Sequence, residues 1–508
     1  MANSTTTPLG LYIHVPFCAR ECEFCAFYKE KADRTKIDLY LDTIEEELSR
    51  FPPTRPVDTI FMGGGTPTLL TAGDLDRLCG KIREAAGNKF SEWTIECAPA
   101  TLKKDKLEVL KKWGVNRFSL GVQSFNPKTL EAIGRPHSLK QIQEAIELLR
   151  ETCGERRPTP QSPPTDREGD NGQGFAPYPP AAQARQSAVA LAKEDATPSA
   201  EGARIRRVAD GSTSAQVFNP GYDDRANDRM TWNIDLIFAA AESTLDDWLA
   251  DLQKAIACGS QHLSTYCLTF ESDTEMYVKL LRGRKKHATP EEEARFYKKT
   301  WELLRGAPMH HYEVSNFARP GCECLHNINT WRMGEWLGYG PSAASQIYVH
   351  PLTPSFKEGE VKGGAAPCDP QKKPMLAGQT GAQPPSIIFP RSGGGIKGGG
   401  SYCRYTNIAD LDSWAAGVKS GQRHFVEETK LTPREIAVDA VIFGLRMPDG
   451  INLGNISKRF EELPTGVLDL GRRLQDEGYL VIDGEKWKLT EDGLLVADRI
   501  GAEIFETL

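Results

Sequence analysis

Short apolar runs and amphipathic stretches alternate along the first 150 residues. "LYIHVPF" (11–17) is a compact apolar run of strand type. "YLDTIEEELSRF" (40–51) sets Leu41, Ile44 and Leu48 on one face of a helix. The rhythm repeats as "DTIFMGG" and "LDRLCGKIREAA", "EWTIECAP" and "KLEVLKKWG", and "RFSLGVQ" and "LKQIQEAIELLR". It resumes at "WNIDLIF" with "LDDWLADLQKAIACG", then at "QHLSTYCLTF" with "EEEARFYKKTWELLRG". Strands separated by single helices pair in parallel through right-handed crossovers. Six such units predict an α/β fold, a partial TIM-type (β/α)6 barrel over residues 9–350. In that architecture working residues lie at the C-terminal ends of the strands.

Two stretches interrupt the pattern. Residues 152–230 and 351–401 are rich in Pro, Gly and charge and poor in apolar residues. Such composition does not bury enough surface to offset its ordering entropy, so both are expected to be disordered inserts. Residues 402–508 form a separate unit in this reading. "PREIAVDAVIFGLR" and "VLDLGRRLQDEG" are amphipathic helices, and "YLVIDGEKWKLTEDG" is a hairpin turning at Asp483-Gly484. Helices followed by such a hairpin suggest a small winged-helix-like domain.

Composition narrows the class. The 508 residues carry a net charge of -7, which speaks against a protein that coats nucleic acid. No apolar run approaches the roughly 18 residues of a membrane span. "MANSTTTPLG" lacks the features of a signal peptide, so a cytoplasmic location is expected. Of the 12 cysteines, Cys79, Cys97, Cys153, Cys258, Cys267, Cys368 and Cys403 are scattered and read as small buried hydrophobes or spectators.

The remaining cysteines raise the chemical question. Cys18, Cys22 and Cys25 stand in "CARECEFCAFY" directly after the first strand. Zinc favours four ligands, usually as two pairs, and a disulfide needs an even count. Iron–sulfur clusters are held by cysteine thiolates, normally four, and three ligands leave one iron open to a substrate. "CECLH" (322–326) is a weaker candidate for a second metal site, with no fourth ligand evident.

C-x3-C-x2-C at the end of a first strand, with an aromatic residue before the last Cys, resembles the radical S-adenosylmethionine (SAM) enzymes. "GLYIHVPFCARECEFCAFY" is similar, more narrowly, to their coproporphyrinogen oxidase group. "FMGGGTPTLL", "TIECAP", "LGVQSF", "GRPHS" and "NIDLIF" follow in that group's order. The resemblance covers roughly residues 9–150, 231–350 and 402–508. It implies that Cys18, Cys22 and Cys25 ligate three irons of a 4Fe-4S cluster, with SAM on the fourth. One electron then cleaves the sulfonium to methionine and a 5′-deoxyadenosyl radical. It further implies Gly64, Gly65 and Thr66 against the methionine part of SAM. Tyr12 and Phe24 would line SAM, and Glu96, Gln123, Arg135 and Asp235 would be its polar contacts.

Two branches share these motifs. The oxygen-independent coproporphyrinogen III oxidases, which convert propionates to vinyls, usually carry a further Cys where this chain has Phe27. The HemW-type heme chaperones have C-x-F there. "HYEVSNFARPG" and "HNINTW" are similar to that branch, with Thr330 in place of its usual Tyr. The resemblance therefore implies a heme chaperone, with the oxidase and a degenerate, non-enzymatic heme-binding relative as alternatives. "FAAAEST" (238–244) stands where the family has a G-L-P-G-Q-T-like run. Heme or a porphyrin is the implied partner, with His326 as its candidate contact. An electron donor such as flavodoxin or ferredoxin and heme-accepting proteins complete the set. His14, His310 and His311 read as structural.

Overall fold

The computed structural model describes residues 8–135, 137–154, 230–240, 243–349, 401–460 and 463–508. Apart from 152–154, 230 and 401, the two expected inserts lie outside the described residues. Strand β1 (Leu9–Val15) is followed by helix α1 (Arg34–Arg50), then β2 (Val57–Gly64) and α2 (Ala72–Ala86). The series continues with β3 (Glu92–Cys97), α3 (Lys104–Trp113), β4 (Arg117–Gln123) and α4 (Leu139–Cys153). It closes with β5 (Thr231–Phe238), α5 (Leu245–Ala257), β6 (His262–Cys267) and α6 (Pro290–Arg305). These are the six expected units. Adjacent strands β1 to β6 pair in parallel throughout.

Local sequence explains where the helices start. Four of these six open on a capping box in which a Ser or Thr side chain and a residue three further on satisfy each other's backbone N–H. The pairs are Thr71–Asp74, Ser138–Gln141, Thr244–Asp247 and Thr289–Glu292. On α1, Leu41, Ile44 and Leu48 are buried, as their spacing predicts. Leu9, Leu11, Ile13 and Val15 of β1 join the same core. The alternate residues Gly10, Tyr12 and His14 stand opposite Thr59, Phe61 and Gly63 of β2, on the inner face.

The sheet is longer than six strands. β7 (His310–Glu313) and β8 (Asn316–Ala318) extend it beyond β6, and both run antiparallel. Helix α7 (Leu325–Trp331) leads into β9 (Trp336–Tyr339), which pairs in parallel with β1. β10 (Ala344–Val349), β11 (Ser401–Asn407) and β12 (Phe425–Leu431) then continue antiparallel, giving twelve strands in all. The alternating pattern did not announce these additions, because β7 to β9 are only three or four residues long. At the C-terminus, helices Pro433–Gly444, Leu453–Arg459 and Thr465–Asp476 precede a hairpin of Leu480–Asp483 and Lys486–Leu489. Its turn uses Gly484 at φ 57, as the Asp-Gly pair predicts. No helix among the described residues is long and apolar enough to cross a membrane.

Candidate functional site

The site lies at the C-terminal ends of the barrel strands. The loop after β1 carries the three cysteines, each half-buried and outside any disulfide. The loop after β2 is fastened to it. Gly65 N–H donates to the Val15 carbonyl at 2.9 Å, and Thr66 N–H to the Phe17 carbonyl at 2.8 Å. A Cβ on Gly65 would stand 2.7 Å from both carbonyl oxygens. Gly64 sits at φ 100, where any other residue is strained, and its Cβ would strike the His14 ring. The glycines are therefore required by the packing of two loops.

Each thiol has its own surroundings. Cys18 Sγ lies 3.7 Å from Thr66 Oγ1, and Arg135 Nη1 donates to Cys22 Sγ at 3.0 Å. Lys29 Nζ holds the Cys25 carbonyl at 2.8 Å. Burial pushes the Cys18 thiol up to about 11 and also raises Cys25. Burial thus disfavours the thiolate form of both, which a bound metal would stabilise.

Two carboxylates face the cysteines. Glu96 accepts the Gly64 N–H at 3.0 Å. Burial, with the Asp235 charge nearby, pushes its pKa up to about 7. Burial also raises Asp235, opposed by hydrogen bonds from Ser264, Asn233 and Ser119. Carboxylates whose ionised forms are disfavoured in this way favour a ligand that brings positive charge.

One cavity gathers most of the expected residues. Cys18, Cys22, Phe24, Cys25, Gly64, Gly65, Thr66, Glu96, Gln123, Arg135 and Asp235 all line it. Two do not. Tyr12 packs with Phe61, Trp336 and Ala343, and its hydroxyl meets His14 Nδ1 at 2.9 Å. His326 lies at the other end of the barrel, on α7, with Nδ1 3.0 Å from Thr59 Oγ1. Thr59 and the cavity residue Gly64 are five strand positions apart, about 16 Å. The imidazole is 4% exposed and burial lowers its pKa to about 3. That environment makes His326 a packing residue, and contact with heme iron would require the N-terminal end of the barrel to open. Cys324 Sγ points instead at Glu92, 3.5 Å away, so "CECLH" does not converge on one ion.

Sequence reasoning missed several lining residues: Ser119, His137, Tyr266 and Thr269. Tyr266 sits near the end of β6, where the barrel architecture alone could have flagged it. Cys97 and Cys267 are buried, as expected, but also line the cavity. His14 is structural, as expected. Its Nε2 lies 3.1 Å from the Tyr28 carbonyl, and burial lowers its pKa to about 4.

The residues present suit a cluster. Among the described residues no three His, Cys, Asp or Glu side chains gather tightly enough to hold a single ion. Three thiols spread along one wall fit a cluster better, because each thiolate takes a different iron. Arg135 Nε and Thr269 Oγ1, both buried, have no hydrogen-bond partner.

Comparison with known proteins decides the family. The radical SAM superfamily matches residues 12–154, and the HemN C-terminal domain matches residues 431–496. A relative from Synechocystis sp., named heme chaperone HemW, is 28% identical over 348 residues, 67% of this chain and 66% of its own length. Residues 12–154 are thus similar to the radical SAM superfamily, and the chain as a whole to relatives named HemW. A bovine relative, named radical S-adenosyl methionine domain-containing protein 1, mitochondrial, is 24% identical over 97% of this chain and 86% of its own. The solved structure of coproporphyrinogen III oxidase (HemN) from Escherichia coli shares the fold. Its TM-score is 0.63 at 19% identity, covering 99% of this chain and 91% of that one. The radical SAM match over residues 12–154 implies a 4Fe-4S cluster and SAM as cofactors.

Proposed function

We propose that the chain is a HemW-like heme chaperone built on a radical SAM site. The observation that carries the reading is the cavity where three thiols face two buried carboxylates, with Phe27 lining it where an oxidase usually has cysteine. HemW is also the name borne by the Synechocystis relative, whose length the match spans by about two thirds.

Cys18, Cys22 and Cys25 would hold the cluster. When bound, the cluster and SAM together supply one-electron reductive cleavage of a carbon–sulfur bond. The chain's part is positioning. Glu96 and Asp235 meet the positive charge of SAM, whose arrival would lower both carboxylates back toward ionisation. Gly64, Gly65 and Thr66 let the ligand approach the backbone closely. Gln123 and Arg135 offer further polar contacts. Phe24 and Phe27 line the same cavity and limit its water.

Heme is the proposed cargo, and its contact is not assigned to His326. An external one-electron donor, such as flavodoxin or ferredoxin, and heme-accepting proteins complete the proposal. The cytoplasm is the proposed location, and organelle fractionation that recovered the chain in mitochondria would replace it.

The test is a heme titration of the anaerobically reconstituted protein, with a product assay on coproporphyrinogen III. A shifted Soret band and no vinyl product are expected. Vinyl formation under reducing conditions would favour the oxidase instead. His326→Ala should keep the Soret shift and lose stability.

A further inference from the structure

A chain of buried hydrogen bonds runs up the inside of the barrel and ends in the cavity. At its base, Cys324 N–H donates to the Tyr312 hydroxyl oxygen at 3.3 Å. Tyr312 Oη lies 2.7 Å from His262 Nε2. His262 Nδ1 lies 2.7 Å from Asn233 Oδ1, and Asn233 Nδ2 donates to Asp235 Oδ1 at 2.7 Å. The same amide nitrogen donates to Ser119 Oγ at 2.7 Å, and Ser119 in turn donates to Asp235 Oδ2 at 3.0 Å. Ser264 Oγ completes the shell around Asn233, at 3.1 Å from its Nδ2.

The direction of the chain is determined by its ends. A hydroxyl has one proton, and a neutral imidazole donates from one nitrogen and accepts at the other. Tyr312 Oη accepts from Cys324 N–H, and His262 Nε2 is the acceptor within reach of its proton, so that proton goes to His262 Nε2. His262 must then carry its proton on Nδ1 and donate to Asn233 Oδ1. That leaves the Asn233 amide only one orientation, with its NH2 toward Asp235. The residues behind Asp235 are nine-tenths buried or more: His262 and Asn233 at 1%, Tyr312 at 4%, Ser119 at 6%. Burial of these residues leaves the order to the protein's own groups.

We propose that His262 and Tyr312 are positioning residues for Asp235: through Asn233 they hold its carboxylate as an acceptor facing the SAM-binding cavity. The stretches "QHLSTYC" and "HYEVSNFARPG" thereby serve the SAM site from behind. This rests on the radical SAM reading, and the experiment separates the two. Without the Tyr312 hydroxyl, His262 is free to take the other tautomer. Its bare Nδ1 would then face Asn233 Oδ1, the amide would turn over, and Asp235 would meet an oxygen where it had an N–H donor.

The test uses the full-length, cluster-loaded protein, with SAM as the probe. SAM affinity, iron content and melting temperature are measured for His262→Leu, His262→Asn and Tyr312→Phe. His262→Asn can still donate from the Nδ1 position and should bind SAM nearly as the native chain does. His262→Leu should lose roughly tenfold or more in affinity, the worth of a charge-linked hydrogen bond, while keeping its iron. Tyr312→Phe, which removes the donor to His262 Nε2, should raise the share of the Nε2–H tautomer above its native level, read by 15N NMR of histidine-labelled protein. Native-like SAM affinity in His262→Leu would overturn the proposal. So would equal losses in His262→Leu and His262→Asn, or an unchanged tautomer in Tyr312→Phe. Failure of the native protein to bind SAM would instead overturn the radical SAM reading.

Discussion

The two ends of the barrel are built on opposite terms. At the N-terminal end, α7 covers the strands and its first N–H groups are satisfied. Leu325 and His326 donate to the Glu92 carboxylate at 2.9 and 3.1 Å, and Cys324 Sγ joins them at 3.5 Å. Arg117 stands behind Glu92 at 4.0 Å. At the C-terminal end, polar atoms are held with partners missing. Arg135 Nε is unpaired, the Glu96 and Asp235 carboxylates repel each other, and Gln123 occupies positive φ at 70°. The first end closes the α7 N–H groups on one carboxylate; the second keeps polar atoms around an open cavity. Strain and unmet polarity of this kind mark functional positions.

The comparison breaks most visibly at the cysteines. Cys22→Ala should drop iron from roughly four per chain to near zero, since two thiolates do not retain a cubane. Melting of the metal-free protein should barely change. Full iron retention by this variant would reverse the ligand assignment. The opposite pattern is expected at the other end. Glu92→Leu strands the α7 N–H groups and leaves Arg117 buried without its counter-charge, costing about 3–5 kcal/mol. Iron per folded molecule should stay native, which separate stability and metal assays will check.

A third test sharpens the contrast through pH. Glu96 has a folded pKa of about 7, above its ordinary value of 4.5. The folded state therefore binds the proton more tightly than the unfolded chain. Stability from this group is full below about 4.5 and is lost as pH rises through 7. Glu96→Gln should match the native chain near pH 4.5 and exceed it at pH 8 by up to about 3 kcal/mol. Denaturant melts of the metal-free protein across that range measure it. A flat difference would show that the Glu96 carboxyl is not destabilised by its site. The smallest effect belongs to the rim. Lys279 Nζ reaches Glu23 on the cysteine loop at 2.6 Å, but both side chains are partly exposed. Lys279→Ala should cost under about 1 kcal/mol.

Most of the barrel was legible because each strand and helix carries its own period. Leu41, Ile44 and Leu48 fall on one face, and the Ser and Thr caps mark where helices begin. The cysteine loop and "GGGTP" were legible as chemistry, since thiol spacing and glycine runs are local signals. His326 misled for a physical reason. Its residue type suggests a metal ligand, but its role is set by Thr59, 267 positions away in sequence. The same holds for His262, whose partners Asn233 and Tyr312 come from other strands. Short strands such as β8, three residues long, exist only by pairing and leave no periodic trace.

The most direct measurement of the central claim is the EPR spectrum of the reconstituted, reduced protein with and without SAM. Three thiolates at the cavity leave one iron open, so SAM should change the signal of a 4Fe-4S cluster, and Cys22→Ala should lose that signal. A cluster spectrum that is identical with and without saturating SAM would contradict the account.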